Sequence, residues 1–384
     1  MGYIGIWRSS RKIWSQKTEI VGSDPDDLDI AMISSAVAKS GSEPNYLPEK
    51  ILIVGPSWVG DMVMAQALFR LLRNQNPKVI IDVVAPAWSE PLLARMKEIR
   101  RTVIMPVGHG KFGLFRRFRI GRELRSIGYQ RAIIIPRSMK SALVPYFAGI
   151  PVRTGFRGEL RYGLLNDIRK LDRAILDQTV KRFLALGLPA GVSVPDPVRP
   201  KLTVDEKNRA ELIERFDLEG SGSVVVLMPG ANYGPAKCWP IEYFAKLAAD
   251  LISGGSRVWI LGSESEATVG EEIRRQGGDG IRNLCGKTRL EDTIDILSVA
   301  RAAITNDSGL MHVAAAVNTH VVAIYGSSSP SFTPPLTAHN TIFYLDLVCS
   351  PCFRRECPLV HLRCLRDITP EMVFADIQRL LLGN

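Results

Sequence analysis

Short apolar runs alternate with longer segments of helical spacing along most of this chain. In the first half the runs are ILIVG, VIIDVVA, TVIMP and AIIIP, at 51–55, 79–85, 102–106 and 132–136. Uninterrupted apolar runs of this length are typical of strands buried on both faces. Between the first two, MVMAQALFRLLRNQ has the spacing of a buried helix. Strand and helix in alternation predict a parallel sheet covered by helices.

The same alternation restarts after GLPAGVSVPDPVRPKL at 187–202, a segment rich in Pro and Gly that is typical of a linker. The second set of predicted strands is VVVLMPG, RVWILG, AAITND and HVVAIYG, at 224–230, 257–262, 302–307 and 320–326. We therefore expect an α/β protein with two doubly wound halves that face a cleft, since ligands bind at the carboxyl ends of such strands. The predicted units are a flexible N-terminal extension (1–48), a first domain (49–190), a linker (191–203), a second domain (204–368) and a C-terminal helix (369–384).

Composition excludes several classes of protein. With 384 residues, 46% hydrophobic and 23% charged, the chain is neither disordered nor collagen-like. It has no apolar run long enough to span a membrane and no secretory signal, so we expect a cytoplasmic protein. Cysteines cluster late in the chain with the spacing C-x2-C-x4-C-x6-C: Cys349, Cys352, Cys357 and Cys364. These fit either a structural zinc site or reduced structural thiols.

Positive charge is concentrated in one region. The formal net charge is +10, and the segment 100–161 holds 14 basic and 2 acidic residues, a net of 14 − 2 = +12. Such a region favours an anionic partner, although a solvated arginine-rich surface is the simpler alternative. Nucleic-acid binding is a third interpretation, because Phe112, Phe115 and Phe118 lie near these arginines, although the segment lacks the pattern of stacking aromatics expected of a protein that binds single strands.

The first candidate motif is GPSWVGDMVMA at 55–65, where a strand turns into a helix near Asp61. Asp61 could cap that helix. Alternatively, its carboxylate faces the cleft and takes a proton from an incoming hydroxyl. The turn at 55–65 contains neither GxGxxG nor a Walker motif, so it is not a dinucleotide or P-loop fingerprint.

Two further motifs follow strands of the second half. In MPGANYGPAKCWP, at 228–240, Lys237 offers a cation for a phosphate, or is a plain surface lysine. In TNDSGLMHVAAAV, at 305–317, Asp307, Ser308 and Gly309 begin a helix whose free amides suit a diphosphate. His312 falls on the same helix face as Ser308 and is either a ligand or a packed side chain. GSESE, at 262–266, ends another strand, which makes Glu264 or Glu266 a candidate for a ribose hydroxyl.

These three motifs, in this order and spacing, resemble those of the lipopolysaccharide heptosyltransferases, and within that family the heptosyltransferase II branch, over about residues 50–384. The resemblance implies the GT-B fold, with two Rossmann-like domains. It implies that Asp61 is the catalytic base and that the donor is bound through Lys237, Asp307, Ser308, Gly309 and His312. Asn232 and Tyr233 lie in the phosphate-facing loop, and Glu266 is a better match for the ribose contact than Glu264. The acceptor would bind the first half, where the basic candidates are Arg137, Lys140, Arg157 and Arg161.

The function that the resemblance implies is an inverting glycosyltransferase. It would move L-glycero-D-manno-heptose from ADP-heptose to the first heptose of heptosyl-Kdo2-lipid A. Alternatives are another heptosyltransferase step (I or III), a GT-B nucleotide-sugar 2-epimerase, or a nucleic-acid-binding protein. We expect no required cofactor, no nucleic-acid partner, a monomer, and peripheral contact with the cytoplasmic face of the inner membrane. Trp7 and Trp14, among basic residues of the extension, could make that contact.

Overall fold

The structure, a computed structural model, describes residues 49–108 and 110–383. The predicted extension, with its Trp7 and Trp14, lies outside the described residues. In the described part of the first half, six parallel strands form one sheet in the order β3-β2-β1-β4-β5-β6. The strands are β1 (Lys50–Val54), β2 (Ile80–Ala85), β3 (Ile99–Ile104), β4 (Arg131–Ile134), β5 (Val152–Phe156) and β6 (Asp167–Arg169). The helices are α1 (Val59–Gln75), α2 (Glu90–Leu93), α3 (Leu114–Leu124), α4 (Leu143–Phe147) and α5 (Thr179–Gly187).

The second half repeats this architecture. Its described residues form another parallel six-stranded sheet, in the order β12-β11-β10-β7-β8-β9. The strands are β7 (Val224–Met228), β8 (Arg257–Ile260), β9 (Ile281–Asn283), β10 (Ala302–Asn306), β11 (His320–Ile324) and β12 (Asn340–Phe343). The helices are α6 (Glu206–Arg215), α7 (Ile241–Ser253), α8 (Ala267–Gly277), α9 (Leu290–Leu297), α10 (Gly309–Ala316), α11 (Arg363–Arg366) and α12 (Pro370–Leu382).

Both sheets reverse their strand order between the first and fourth strands, the point at which doubly wound sheets bind ligands. The prediction of two doubly wound halves is therefore confirmed. The predicted strands occur within a few residues of their expected positions, but β5, β6, β9 and β12 were not predicted. β6 and β9 are three-residue edge strands with the sequences DIR and IRN, and neither shows an apolar run. The exact domain limits stay predictions.

The two halves share one continuous core. Apolar side chains of both sheets belong to a single buried cluster, which includes Ile53 of β1 and Val226 of β7. The fully described stretch 188–205 contains neither helix nor strand and is pinned by backbone contacts. The Gln66 side-chain amide accepts a hydrogen bond from Lys201 N–H at 2.9 Å and donates one to Lys201 O at 2.7 Å. Leu202 N–H donates to Ala316 O at 2.9 Å, so the linker is packed against helices of both halves.

Part of the basic region serves the fold. Asp82, which is completely buried on β2, accepts hydrogen bonds from Arg100 Nε at 2.9 Å, from Arg101 Nε at 3.0 Å and from the Tyr129 hydroxyl. Burial alone would raise the pKa of Asp82, but the hydrogen bonds from Arg100 and Tyr129 outweigh it, and the pKa lies below its ordinary value. These two arginines therefore neutralise an internal carboxylate, although their side chains remain partly exposed.

Replacing Asp82 by Ala should lower the free energy of unfolding by about 2–4 kcal/mol, because it removes the charge that two arginines and a tyrosine surround. Asp279→Ala, which removes a fully exposed carboxylate paired with Arg274, should leave stability unchanged and serves as the control. Urea unfolding followed by circular dichroism measures both variants. Equal midpoints for the two would show that the Asp82 cluster is not structural.

Candidate active site

Asp61 stands in the first turn of α1, immediately beyond the carboxyl end of β1. The N-cap residue of this helix is Trp58, so Asp61 does not occupy the capping position. Burial raises the pKa of Asp61 to about 6, the nearby Asp307 carboxylate adds to this increase, and Lys237 acts in the opposite direction. A carboxylate with a pKa near 6 is ionised at neutral pH and is a stronger base than an exposed aspartate.

Lys237 and Asp307 meet across the second half. Lys237 ends a 3-10 turn after β7, and its Nζ lies 2.5 Å from Asp307 Oδ2. The same ammonium lies 5.1 Å from the centre of the Tyr233 ring, a cation–π contact. Thr333 Oγ1 donates to the other Asp307 oxygen at 3.3 Å. Lys237 is thus held in the cleft as an oriented cation.

The N-terminus of α10 opens into the same place. Ser308 is the N-cap residue and its hydroxyl makes no capping hydrogen bond. Asn306, one step earlier, is fully buried and joins two loops: its Nδ2 donates to Pro229 O at 2.6 Å, and its Oδ1 accepts from Trp239 N–H at 2.9 Å. These bonds fix the strand end from which α10 starts, and the first amides of the helix are free for an anion.

α1 and α10 approach each other at their N-termini, across the boundary between the two halves. A Cβ at Gly60 would lie 2.7 Å from His312 Cδ2, and a Cβ at Gly309 would lie 3.0 Å from Val59 Cβ. Glycine is therefore required on both sides for this close approach. The positive ends of two helix dipoles consequently face one site.

His312 is buried beneath this contact. Burial lowers its pKa to about 4, with Asp307 opposing the shift, so the ring is neutral at physiological pH. Its Nδ1 has no hydrogen-bond partner among the described residues. His312 is thus a neutral imidazole at the wall of a cavity, with one buried, unpartnered ring nitrogen.

Two cavities meet at Asp61. One, of about 990 Å³, lies between the halves; we call it the donor cavity. The other, of about 690 Å³, is lined mainly by the first half, with Phe332 and Thr333 of the second half at its edge; we call it the acceptor cavity. Residues that line both are Ser57, Trp58, Asp61, Phe332 and Thr333. Among these, Asp61 is the carboxylate, so one ionisable base faces both spaces.

The donor cavity gathers nearly every donor residue predicted from sequence. Its lining includes Asn232, Tyr233, Lys237, Glu266, Asp307, Ser308, Gly309 and His312. Glu266 lies over the ends of β7 and β8, and its Oε2 accepts from Ser263 N–H at 2.6 Å. Glu264 is exposed and is not among the residues that line either cavity. The structure thus places Glu266, and not Glu264, in the wall of this cavity.

The four basic acceptor candidates separate into two pairs. Arg137 and Lys140 line the acceptor cavity, whereas Arg157 and Arg161 are not among its lining residues. Arg157 is exposed on the surface. Arg161 is only 2% exposed, and its guanidinium donates to Pro136 O at 2.7 Å and also to Phe156 O. Its place is therefore beneath the loop that carries Arg137, where it positions the cavity wall.

Sequence reasoning missed several cavity residues. Arg182 of α5 lines the acceptor cavity, with its guanidinium 4.7 Å from the centre of the Phe332 ring. Arg117 and Glu159 line it as well. In the donor cavity, the buried hydroxyls of Thr288 and Ser328 have no partner among the described residues. Arg117 and Arg182 lie on helices, away from the glycine-containing turns that pointed to the other residues. Glu159, Thr288 and Ser328 do follow strands in turns with a glycine, a signal that could have found them.

The cysteine-rich segment packs against the donor loop. Arg355 Nε donates to Tyr233 O at 2.8 Å, and the Tyr233 hydroxyl donates to Phe353 O at 2.7 Å. Arg355 and Phe353 also line the donor cavity. The cysteines are free thiols, and burial with the neighbouring cysteines raises the pKa of Cys364 to about 11. Among the described residues, no group of three or more His, Cys, Asp or Glu side chains is arranged to hold a metal, so the zinc alternative gains no support.

Comparison with known proteins identifies this arrangement. The family model "Glycosyltransferase family 9 (heptosyltransferase)" matches residues 117–363. Lipopolysaccharide heptosyltransferase 2 of Escherichia coli K12 is 43% identical over 343 residues, which cover 87% of this chain and 99% of that protein. Lipooligosaccharide heptosyltransferase 2 of Haemophilus influenzae is 43% identical over 354 residues, with 86% and 99% covered. The solved structure of E. coli ADP-heptose LPS heptosyltransferase II matches with a TM-score of 0.77 at 42% identity and covers 87% of this chain and 98% of that one. The expected GT-B fold is confirmed, and the chain belongs to glycosyltransferase family 9, the heptosyltransferases.

Proposed function

We propose that this chain transfers heptose from ADP-heptose to the first heptose of heptosyl-Kdo2-lipid A, with inversion at the anomeric carbon. The observation that carries the proposal is the position of Asp61, which lines both the donor and the acceptor cavity. A base that deprotonates an acceptor hydroxyl must face the acceptor and the donor's anomeric carbon together. The named relatives favour ADP-heptose as donor and the second heptose as the step.

The donor cavity suits a nucleotide diphosphate. The free amides at the start of α10, with Ser308 and Gly309, would bind the diphosphate, and Lys237 would neutralise its charge. His312, Asn232 and Tyr233 lie around the same position. Glu266, between the ends of two strands, would accept hydrogen bonds from the ribose hydroxyls. With the Lys237 ammonium and a helix N-terminus present, the proposal requires no bound metal.

The acceptor cavity suits an anionic saccharide. Three cationic side chains, those of Arg137, Lys140 and Arg182, line this cavity, and Arg117 adds a fourth. Carboxylates of the Kdo sugars and phosphates of lipid A would pair with these cations, because arginine binds such groups through two parallel hydrogen bonds. Arg157, exposed outside the cavity, would contact the acceptor only through groups that extend beyond it.

The reaction proceeds in one displacement. The acceptor hydroxyl oxygen attacks the anomeric carbon from the face opposite to ADP, and Asp61 takes the hydroxyl proton. The bond from the anomeric carbon to the diphosphate oxygen breaks, and ADP departs with the electron pair. Lys237 and the α10 amides stabilise the negative charge that develops on the leaving diphosphate. Closure of the two halves would exclude water, which would otherwise hydrolyse the donor.

The same proposal places the enzyme, as a monomer, at the cytoplasmic face of the inner membrane, where a lipid-anchored acceptor is presented. In the described part of the chain, no helix is long and apolar enough to cross a membrane. The proposal includes peripheral contact with the bilayer. No nucleic-acid partner is part of the proposal, since several arginines of the basic region are engaged by internal groups.

ADP release tests the step. With ADP-heptose as donor, we expect the purified protein to release ADP when heptosyl-Kdo2-lipid A is present, because only that acceptor offers the first heptose. Release with Kdo2-lipid A instead would assign the first step, and release only with a longer core would assign the third. Donor turnover without any acceptor would favour an epimerase and contradict the proposal.

Asp61→Asn should reduce transfer by about 10²–10⁴-fold, since the amide cannot accept the hydroxyl proton. Binding of ADP, measured by calorimetry, should be retained or become tighter, because the diphosphate contacts are unchanged and a neighbouring negative charge is removed. Asp279→Asn, at a fully exposed carboxylate, is the matched control and should retain full activity. Wild-type rates in Asp61→Asn would remove Asp61 from the mechanism.

The same variant should be more stable than wild type at pH 7. Because the pKa of Asp61 is raised, ionising this carboxyl costs free energy in the folded state. The cost is absent below pH 3.8, the unfolded pKa, and is complete above about pH 6. That cost is up to about 3 kcal/mol at neutral pH. Thermal unfolding should therefore show a higher midpoint for Asp61→Asn at pH 7, and the difference should shrink toward pH 4. A lower midpoint at pH 7 would contradict the burial of an ionised carboxylate.

A further inference from the structure

Helix α3 exposes an unusual number of apolar side chains. Phe115 is 86% exposed, Phe118 45% and Leu114 43%, and Phe112, just before the helix, is 45% exposed. We call these four residues the aromatic patch. Monomeric proteins rarely leave clustered large apolar side chains in water without a partner that covers them.

The outward orientation of the patch is fixed by the inner face of the helix. Gly121 packs so closely on α4 that a Cβ would lie 2.5 Å from Phe147 Cβ. Arg117 is buried, and its Nε donates to Phe112 O at 2.7 Å. Phe118 rests edge-on against Phe147 with ring centres 5.2 Å apart. Since these contacts define which face of α3 is inside, Phe115 has no inward alternative.

Cations surround the patch. Between residues 111 and 125 the sequence has one acidic residue, Glu123. The exposed basic residues in this stretch are Lys111, Arg116, Arg119, Arg122 and Arg125. Aromatic side chains with flanking arginines on one short helix are typical of segments that lie in the interface of an anionic bilayer. Each cation near such a surface adds about 1 kcal/mol of attraction.

The aromatic patch lies on the outer face of α3, and the inner face of the same helix borders the acceptor cavity. Arg117, on the inner face of α3, lines that cavity, as do Val107, Gly108 and Gly110 from the loop that leads to the helix. An acceptor whose sugar is tethered to lipid must enter the cavity from the bilayer surface. A membrane-bound face directly beside the cavity would shorten that path.

We propose that the aromatic patch docks on the anionic bilayer that carries the acceptor and so presents the acceptor cavity to it. This inference rests on the proposed function, since it takes the acceptor to be a lipid-anchored saccharide. Phe115 enters the headgroup region, and the surrounding arginines pair with lipid phosphates. The patch thereby determines where the enzyme finds its substrate, while Asp61 and the donor cavity perform the chemistry.

The test uses the full chain with Phe115→Ser, and Leu382→Ser as control. Leu382 is 78% exposed at the end of α12, in the other half. Sedimentation with vesicles of phosphatidylglycerol and phosphatidylethanolamine should show binding of wild type and control, and about tenfold weaker binding of Phe115→Ser, the effect of withdrawing one phenyl ring from the interface. Phosphatidylcholine vesicles should bind all three proteins weakly.

Transfer assays separate docking from chemistry. With acceptor embedded in the anionic vesicles, Phe115→Ser should raise KM about tenfold at unchanged kcat. With the water-soluble, deacylated acceptor, it should match wild type. Failure of wild type on the soluble acceptor would reject the proposed function, whatever the vesicles show. Equal vesicle binding by Phe115→Ser and wild type would overturn the docking proposal. A wild-type dimer that Phe115→Ser converts to a monomer would overturn it too, because the patch would then bind a second copy of the chain. Loss of vesicle binding on addition of equimolar DNA, seen in wild type and not in Phe115→Ser, would indicate that the patch binds nucleic acid instead.

Discussion

The close approach of two helix N-termini is the constraint on which the site depends. Gly60 at the start of α1 and Gly309 at the start of α10 leave no room for side chains between them. This contact closes the cleft at one point and brings the positive ends of both helices together. It also buries His312, and partly buries Asp61, at the boundary of the halves. Donor and acceptor cavities consequently share one lining residue that can act as a base.

The charges around that contact are arranged in opposition. Asp61 has a raised pKa because it is buried near Asp307, and Asp307 is tolerated there because it is paired with Lys237. A donor diphosphate would compete with Asp307 for Lys237 and would add negative charge next to Asp61. Its binding should therefore raise the proton affinity of Asp61 further, at the moment when an acceptor hydroxyl needs a base. Such a site lowers stability in exchange for reactivity.

The sequence predicted those parts of the structure that local rules determine. Uninterrupted apolar runs gave the central strands, and glycine-containing turns after strands pointed to Asp61, Lys237 and Ser308. Edge strands such as β6 and β9 carry too few apolar residues to show a pattern. Arg161 and Arg182 differ only in tertiary contacts, so charge alone could not reveal that one supports a loop and the other lines a cavity. The contact of the cysteine-rich segment with Tyr233 joins residues more than 100 positions apart and has no local signature.

The pH dependence of kcat/KM for heptose transfer tests the central claim most directly, because it reports the ionisation of the free enzyme's base. If the buried Asp61 carboxylate is that base, the rate should be constant above neutral pH and fall about tenfold per pH unit below a pKa of about 6. Asp61→Glu, with any residual activity, should shift this acid limb. An acid limb near pH 4, or one that is identical in Asp61→Glu, would contradict the assignment of the buried carboxylate at the junction of the two cavities.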